Sequence, residues 1–256
     1  MNSSPRILLY DIETSLELVS VFDLKYNDFI NPSNIFLERH LISAAWKWLG
    51  DTKVKSVSLL DAPKLYAKDP HNDKHVLEVI CRVLGEADVI VGHNSDAFDI
   101  KYIETRMLYH GMSPLPPINS LDTYKIAKSR FRFNSNKLDY LGTFLGVGRK
   151  LPTSSELWLR VLKGDKRAIR EMVSYNKQDV ELLERVFLKL RPYMSNHISR
   201  GLFGKLGCPR CGSHHIQSRG THKAITRTYQ RFQCQACGGW FRNLKNDYNP
   251  QTVRVI

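Results

Sequence analysis

Apolar and polar positions change rhythm along this chain. RILLY (6–10) is a continuous apolar run of strand length after its Arg, the pattern of a strand covered on both faces. LISAAWKWL (41–49) and VKSVSLL (54–60) read as two more strands, joined by a turn at Gly50-Asp51. HVLEVICRVLGEA (75–87) has apolar residues at helical spacing, with Cys81 among the core positions. DVIVGHN (88–94) is a strand that stops at Gly92, and DIKYIETRMLYHG (99–111) is a helix with Gly111 just past its end. INSLDT (118–123) predicts a fifth strand, and helices follow over roughly 123–130, 137–146, 155–163 and 166–191. Three strands, then helix–strand–helix–strand, then a helical end make a mixed α/β domain.

GLFGKLG (201–207) breaks the pattern with three glycines directly after the last helix and reads as a hinge. The expected division is therefore a domain over 1–198 and a small one over 199–256. Charge divides in the same way. The chain carries a net charge of +13, yet residues 200–256 hold ten Lys or Arg against a single acid, Asp247. A basic module on a nearly balanced body points to a polyanionic partner such as nucleic acid, with a merely solubilising surface as the alternative. No apolar run of about 18 residues and no apolar leader with a cleavage site is present. The expectation is a soluble, cytoplasmic protein with no membrane partner.

Four of the five cysteines fall in the basic module, as CPRCG and CQACGG: Cys208, Cys211, Cys234 and Cys237, the two pairs 22 residues apart. Four thiolates at this spacing suit one tetrahedral structural Zn²⁺ in a zinc ribbon, with an iron–sulfur cluster as the alternative and His214 and His215 as rival ligands. About fifty residues form too small a core to fold unaided, and a metal supplies the missing stability. A four-thiolate site has no open position, so this metal has no catalytic task. Tyr229, Phe232, Trp240 and Phe241 lie among the basic residues, either as the ribbon's own core or as rings on which bases stack.

The chemistry of the first domain is carried by acids. Asp11 and Glu13, two apart on a strand, project to one side. Two carboxylates there repel unless a hard divalent cation lies between them. Asp99 opens a helix beyond the strand at 88–91, where ligands of mixed sheets gather. Asp96 reads as that helix's N-cap. Tyr175 and Asp179 are one helical turn apart and border an apolar stripe through Ile169, Met172, Val180, Leu183 and Phe187.

In order along the chain these are Asp11-Ile12-Glu13, then Asn94-Ser95-Asp96-Ala97-Phe98-Asp99, then Tyr175-Asn176-Lys177-Gln178-Asp179. Together with SLDTYKIAK and NKLDYLGTFLGV between them, they resemble the DEDD superfamily of 3′–5′ exonucleases. The branch is the one with a tyrosine in its third motif, as in the proofreading domains of family B DNA polymerases. The resemblance spans about residues 5–195. It implies an RNase H-like fold, a mixed sheet flanked by helices. It also implies two Mg²⁺ or Mn²⁺ held by Asp11, Glu13, Asp99 and Asp179, with Asp11 bridging both, for hydrolysis of a phosphodiester. Tyr175, whose ordinary pKa is near ~10, then orients the attacking water rather than acting as a base.

Asn94 is a candidate contact to the terminal nucleotide or to a metal-bound water, or else shapes its loop; the resemblance also implies an apolar wedge against the last bases, for which Leu16 is the candidate, within the segment 14–40 that also holds Phe22, Tyr26, Phe29 and Phe36. Phe98 is either a further contact or, as its apolar character favours, core packing beneath the site. His93 reads as a loop histidine and Asp122 as an acid behind the ligands. The expected substrate is single-stranded DNA, with RNA as the second option and a replication or repair protein as a further partner. A structure-selective endonuclease, an exoribonuclease and a non-catalytic nucleic-acid-binding protein are the alternatives.

Overall fold

The computed structural model describes residues 5–21, 30–194, 207–223 and 228–242. The hinge predicted over 201–207, except for its last residue Gly207, and the rings of Phe22, Tyr26 and Phe29 lie outside the described residues. The chain divides into two compact units, one over 6–187 and one over 188–256 together with 1–5.

The larger unit is built on a five-stranded mixed sheet. Its strands are β1 (Ile7–Thr14), β4 (Leu41–Trp48), β5 (Lys55–Ser58), β6 (Val89–Gly92) and β7 (Asn119–Asp122); β2 (Leu18–Val19) and β3 (Ile35–Leu37) form a separate short hairpin. The sheet order is β5-β4-β1-β6-β7. β1 is central, antiparallel to β4 and parallel to β6. Its first four residues are all buried, as an apolar run covered on both faces requires. The strand continues four residues past the run, because β4 pairs with it down to Thr14. Backbone pairing, not side-chain character, sets its end.

The helices are α1 (Pro63–Lys68), α2 (Lys74–Gly85), α3 (Asp99–Tyr109), α4 (Thr123–Arg130), α5 (Leu138–Phe144), α6 (Ser155–Leu162) and α7 (Lys166–Leu190). Each predicted helix is present; the six-residue α1 and the β2–β3 hairpin are additions that show no clear period in the sequence. α2 buries Val76, Leu77, Ile80, Cys81 and Leu84 in the core that also receives Leu8, Tyr10, Leu41, Ile42 and Ile90. Among the described residues no helix is long and apolar enough to cross a membrane.

The smaller unit holds a second sheet of three antiparallel strands, β8 (Ile216–Lys223), β9 (Thr228–Cys234) and β10 (Trp240–Arg242), in the order β10-β9-β8.

Candidate active site

β1 outruns its parallel neighbour. The β1–β6 pairing ends at Leu9↔Val91, and beyond it Asp11 and Glu13 face β4 at Ala45 and Ser43. Asp11 and Glu13 thus stand where the chain of β6 turns away. That turn is tight. Asn94 has a left-handed backbone, φ 62°, and a Cβ added to Gly92 would lie 2.3 Å from both Cβ and Oγ of Ser95. Only glycine fits there, and Gly92→Ala is expected to cost roughly 1–3 kcal/mol by overpacking, read from chemical denaturation.

The turn is held from one side by Asp122. Its Oδ1 accepts from the N–H of Asn94 at 2.8 Å and caps α4 through Tyr124 N, and its Oδ2 accepts from Asp96 N at 3.3 Å. Asp122 is therefore an acid that shapes the loop behind the site. Asp96 does not cap α3. The helix starts from Phe98 as its N-cap, and Asp96 instead pairs with Lys125 at 2.8 Å and accepts from Ser120 Oγ. Phe98, expected in the core, is over a third exposed and stacks on Tyr102, ring centroids 5.7 Å apart. The first turn of α3 brings Asp99 back onto β1, where its Oδ1 accepts from Ile12 N at 3.3 Å.

α7 supplies the other wall. Tyr175, Asn176 and Asp179 are all buried, inside its packed stripe rather than bordering it. Carboxylate oxygens of Asp11, Glu13 and Asp179 come within 4.8 Å of one another. Asp99 is not in that triplet, although its buried charge acts on both Asp11 and Glu13. Tyr175 is steadied by an edge-on contact with Trp158, at 6.3 Å between centroids, and Trp158 donates to Thr14 O at the end of β1.

Two further residues complete the site: Asn176, within the third motif but given no role there, and Lys150, outside every motif. Asn176 donates to Asp11 Oδ2 at 2.7 Å and accepts from Ser43 Oγ at 3.1 Å, fixing the Asp11 carboxylate. Lys150 donates to Asp179 Oδ2 at 2.5 Å and to the Tyr175 hydroxyl at 3.2 Å. Its loop is pinned to α7 by Gln178, which accepts from Leu151 N and donates to Arg149 O. Thus Tyr175, Asn176, Gln178 and Asp179 of the third motif are each hydrogen-bonded, Tyr175 and Asp179 to the same ammonium.

The electrostatics are those of an anionic pocket short of cations. Burial, then the charge of Asp179, pushes Glu13 up to about 8, and burial pushes Asp99 up to about 7. Asp11 is raised well above its ordinary value by burial and by Asp99, Glu13 and Asp179, and burial raises Asp179. Lys150 opposes all four, and one ammonium cannot neutralise four carboxylates. Asp179 Oδ1 is buried with no hydrogen-bond partner. Oxygen-only donors, an orphaned carboxylate oxygen and uncompensated charge fit hard divalent cations. Burial, then Asp179, holds the Tyr175 phenol up at about 12, far from a base at neutral pH. His93 donates to or accepts from Thr123 Oγ1 at 2.9 Å, and burial lowers it to about 4. It packs behind the loop rather than in the site. Asn94 is exposed at the turn and Leu16 half-buried just beyond β1.

In the smaller unit the Sγ atoms of Cys208, Cys211, Cys234 and Cys237 also lie within 4.8 Å of one another. Each Cys-x-x-Cys closes into a knuckle. Gly212 N donates to Cys208 O and Gly238 N to Cys234 O, both glycines having left-handed φ of 79° and 72°. Burial works against the Cys234 thiolate, but the N–H groups of Cys237 and Ala236, together with the thiols of Cys211 and Cys237, outweigh it and bring the thiol down to about 7. Four convergent sulfurs, backbone donors aimed at sulfur and a three-stranded sheet have the layout of a zinc ribbon. His214 and His215 are not part of the cluster.

A family model described as the RNase H superfamily matches residues 49–191. That span contains Asp99, Tyr175 and Asp179; Asp11 and Glu13 precede it. The fold is similar to that of the family B DNA polymerase from the hyperthermophilic archaeon Pyrobaculum calidifontis. The TM-score is 0.55 at 18% identity, over 75% of this chain and 25% of the polymerase. The chain thus spans about a quarter of the length of that polymerase. No curated protein matches the sequence.

Proposed function

This chain belongs to the RNase H superfamily, and on that premise we infer that it is a metal-dependent 3′–5′ exonuclease of the DEDD type, tyrosine branch, acting mainly on single-stranded DNA. The observation that carries this reading is the convergence of Asp11, Glu13 and Asp179 oxygens within 4.8 Å, with Asp99 bonded to the strand between the first two. Catalysis belongs to residues 1–198 and strand holding to 199–256.

Two Mg²⁺ or Mn²⁺, when bound by the four carboxylates, supply Lewis acidity to the attacking water and to the leaving 3′ oxygen. Everything else falls to the chain itself. Asn176 fixes the Asp11 carboxylate, and Lys150 fixes Asp179 and the Tyr175 hydroxyl in one hydrogen-bonded group. Tyr175 keeps its proton at working pH and positions water by hydrogen bonding. The exposed ring of Phe98, next to Asp99 in sequence, offers a face for the terminal base, with Asn94 and Leu16 on the adjoining loops. In the smaller unit the four thiolates hold one Zn²⁺, which is structural.

The test is digestion of linear single strands labelled at the 5′ end, with Mg²⁺ or Mn²⁺. A descending ladder of labelled products is expected, with DNA cut faster than RNA and single strand faster than duplex. A circular single strand, which has no 3′ end, is expected to survive. Its cleavage would mean an endonuclease on the same fold, and loss of label as mononucleotide at the outset would mean the opposite polarity.

A further inference from the structure

The sheet of the four-cysteine unit has two unlike faces. Strand alternation puts Ile216, Phe232, Cys234 and Phe241 on one side, with the Phe232 and Phe241 rings stacked at 5.5 Å. That side is the unit's small core. The other side carries Tyr229, Arg231, Gln233, Trp240 and Arg242. Arg231 and Arg242 are direct cross-strand partners, so two guanidinium groups project side by side from neighbouring strands. Like charges at such a position destabilise a sheet. The usual remedy, a carboxylate, does not exist here, since no Asp or Glu occurs between Arg200 and Asn246.

Rings take its place. The Arg231 guanidinium lies over the Trp240 ring at 5.1 Å, and the Arg242 guanidinium over the Tyr229 ring at 4.3 Å, each pair crossing diagonally between β9 and β10. Trp240 is nonetheless 44% exposed. Arg219, from β8, reaches over the same face to donate to Gln233 Oε1 at 3.1 Å, and its carbonyl accepts from Arg231. The result is an acid-free surface of alternating cations and rings, whose charge repulsion would be relieved by a chain of anions. A metal held by the four cysteines, two of them buried and two half-buried, makes no use of this surface.

We propose that this face binds a single polynucleotide strand. Phosphates lie between Arg231 and Arg242, and bases stack on Trp240 and Tyr229. A duplex fits poorly, because its bases are already stacked and cannot take a ring as neighbour. The assignment rests on the reading of the chain as an enzyme acting on polynucleotides, and gives the smaller unit its part in it.

Full-length protein carrying Asp179→Asn, so that the probe is not cut, is titrated into a fluorescein-labelled oligothymidylate of roughly 20 nucleotides, longer than one such binding site. Fluorescence anisotropy gives Kd. Trp240→Ala is expected to weaken binding about tenfold, the loss of one stacked base, and Trp240→Phe to restore most of it. Arg231→Ala with Arg242→Ala is expected to lower the slope of log Kd against log salt by about 1.4, two phosphate contacts on a single strand. Gln230→Ala, on the opposite face, is the control. Metal content and circular dichroism equal to the parent's show that the unit is intact; if Trp240→Ala loses its metal, the exposed arginine pair decides the question by salt slope. Affinity and slope unchanged in metal-retaining variants overturn the proposal and leave the face to an acidic protein. The two readings fail separately. No cutting of any linear strand by the wild type defeats the nuclease reading, whereas a Trp240-dependent affinity survives it.

Discussion

Asp11→Asn is expected to abolish cleavage, by at least about 10³-fold, while raising the thermal stability of the metal-free protein. The first half follows from position. Asp11 is the acid on which the charges of Asp99, Glu13 and Asp179 all act, so the group at the centre of the cluster loses its charge. A 10³-fold loss corresponds to about 4 kcal/mol of transition-state stabilisation, within the reach of a displaced catalytic cation. The second half follows from repulsion, because an amide in place of one of several mutually repelling carboxylates removes a term that only cations or protons otherwise relieve. Asp179→Asn should be equally inactive but gain less stability, because it also breaks the ion pair with Lys150 and strands that half-buried ammonium. Affinity for an uncut single strand should fall no more than a few-fold in either variant. Tm is measured on all three proteins treated identically with chelator, so that any response of the four-cysteine unit cancels, and rate and Kd on the same preparations after Mg²⁺ or Mn²⁺ is added back. Wild-type cutting by Asp11→Asn, or a metal-free Tm below the parent's, would remove Asp11 from the centre of the mechanism.

How much of this site could be read in advance depended on the range of the interactions. Asp11 and Glu13 share a face because a strand has period two, and Tyr175 and Asp179 because a helix has nearly four residues per turn. Both are local facts. Asn176 is equally buried but sits next to Tyr175, on no predicted face, and its partners Ser43 and Asp11 are 133 and 165 residues away. Lys150 sits in a loop with no period at all, 29 residues before the acid it pairs with. Nothing in a linear pattern separates it from the other lysines except its place between a glycine-rich turn and a helix start.

The misreadings have the same origin. Asp96 has the residue type and position of an N-cap, but Asp122 already organises that turn and a lysine from α4 captures Asp96. Phe98 is apolar and adjoins a buried acid, yet the left-handed turn at Asn94 brings its ring out beside Tyr102. Apolar character reports the average environment of a residue; a tight turn decides which way an individual ring faces. The apolar run marked the buried strand over 6–10 with the two acids at its end, and the pairing with β4 carries the strand through both of them to Thr14. That extension gives Asp11 and Glu13 their common direction.

The pH dependence of the metal-free protein tests the electrostatics of the cluster without any substrate. Glu13 is raised from 4.5 to about 8 and Asp99 from 3.8 to about 7. The folded state therefore holds protons that the unfolded chain has already released, and stability must fall as pH rises towards those values. Two histidines act in the opposite sense. Burial lowers His40 and His93 from 6.5 to about 4, so the unfolded chain binds protons that the folded state does not, and stability rises with pH up to about 6.5. Below that value the two effects offset each other. Between about pH 6.5 and 8 the carboxylates act alone within the larger unit, whereas Cys234, brought down to about 7, makes the smaller unit's stability rise with pH. In the larger unit's own transition each net proton the carboxylates retain lowers stability by ~1.4 kcal/mol per pH unit, roughly 3–6 °C in Tm for a unit of this size. Saturating Mg²⁺ or Mn²⁺ should flatten the profile by displacing those protons, and Glu13→Gln should flatten it without metal. Calorimetry across this window separates the two possibilities directly, because a metal-free stability that is level or rising from pH 6.5 to 8 would mean that the four carboxylates are not held together against their own charge.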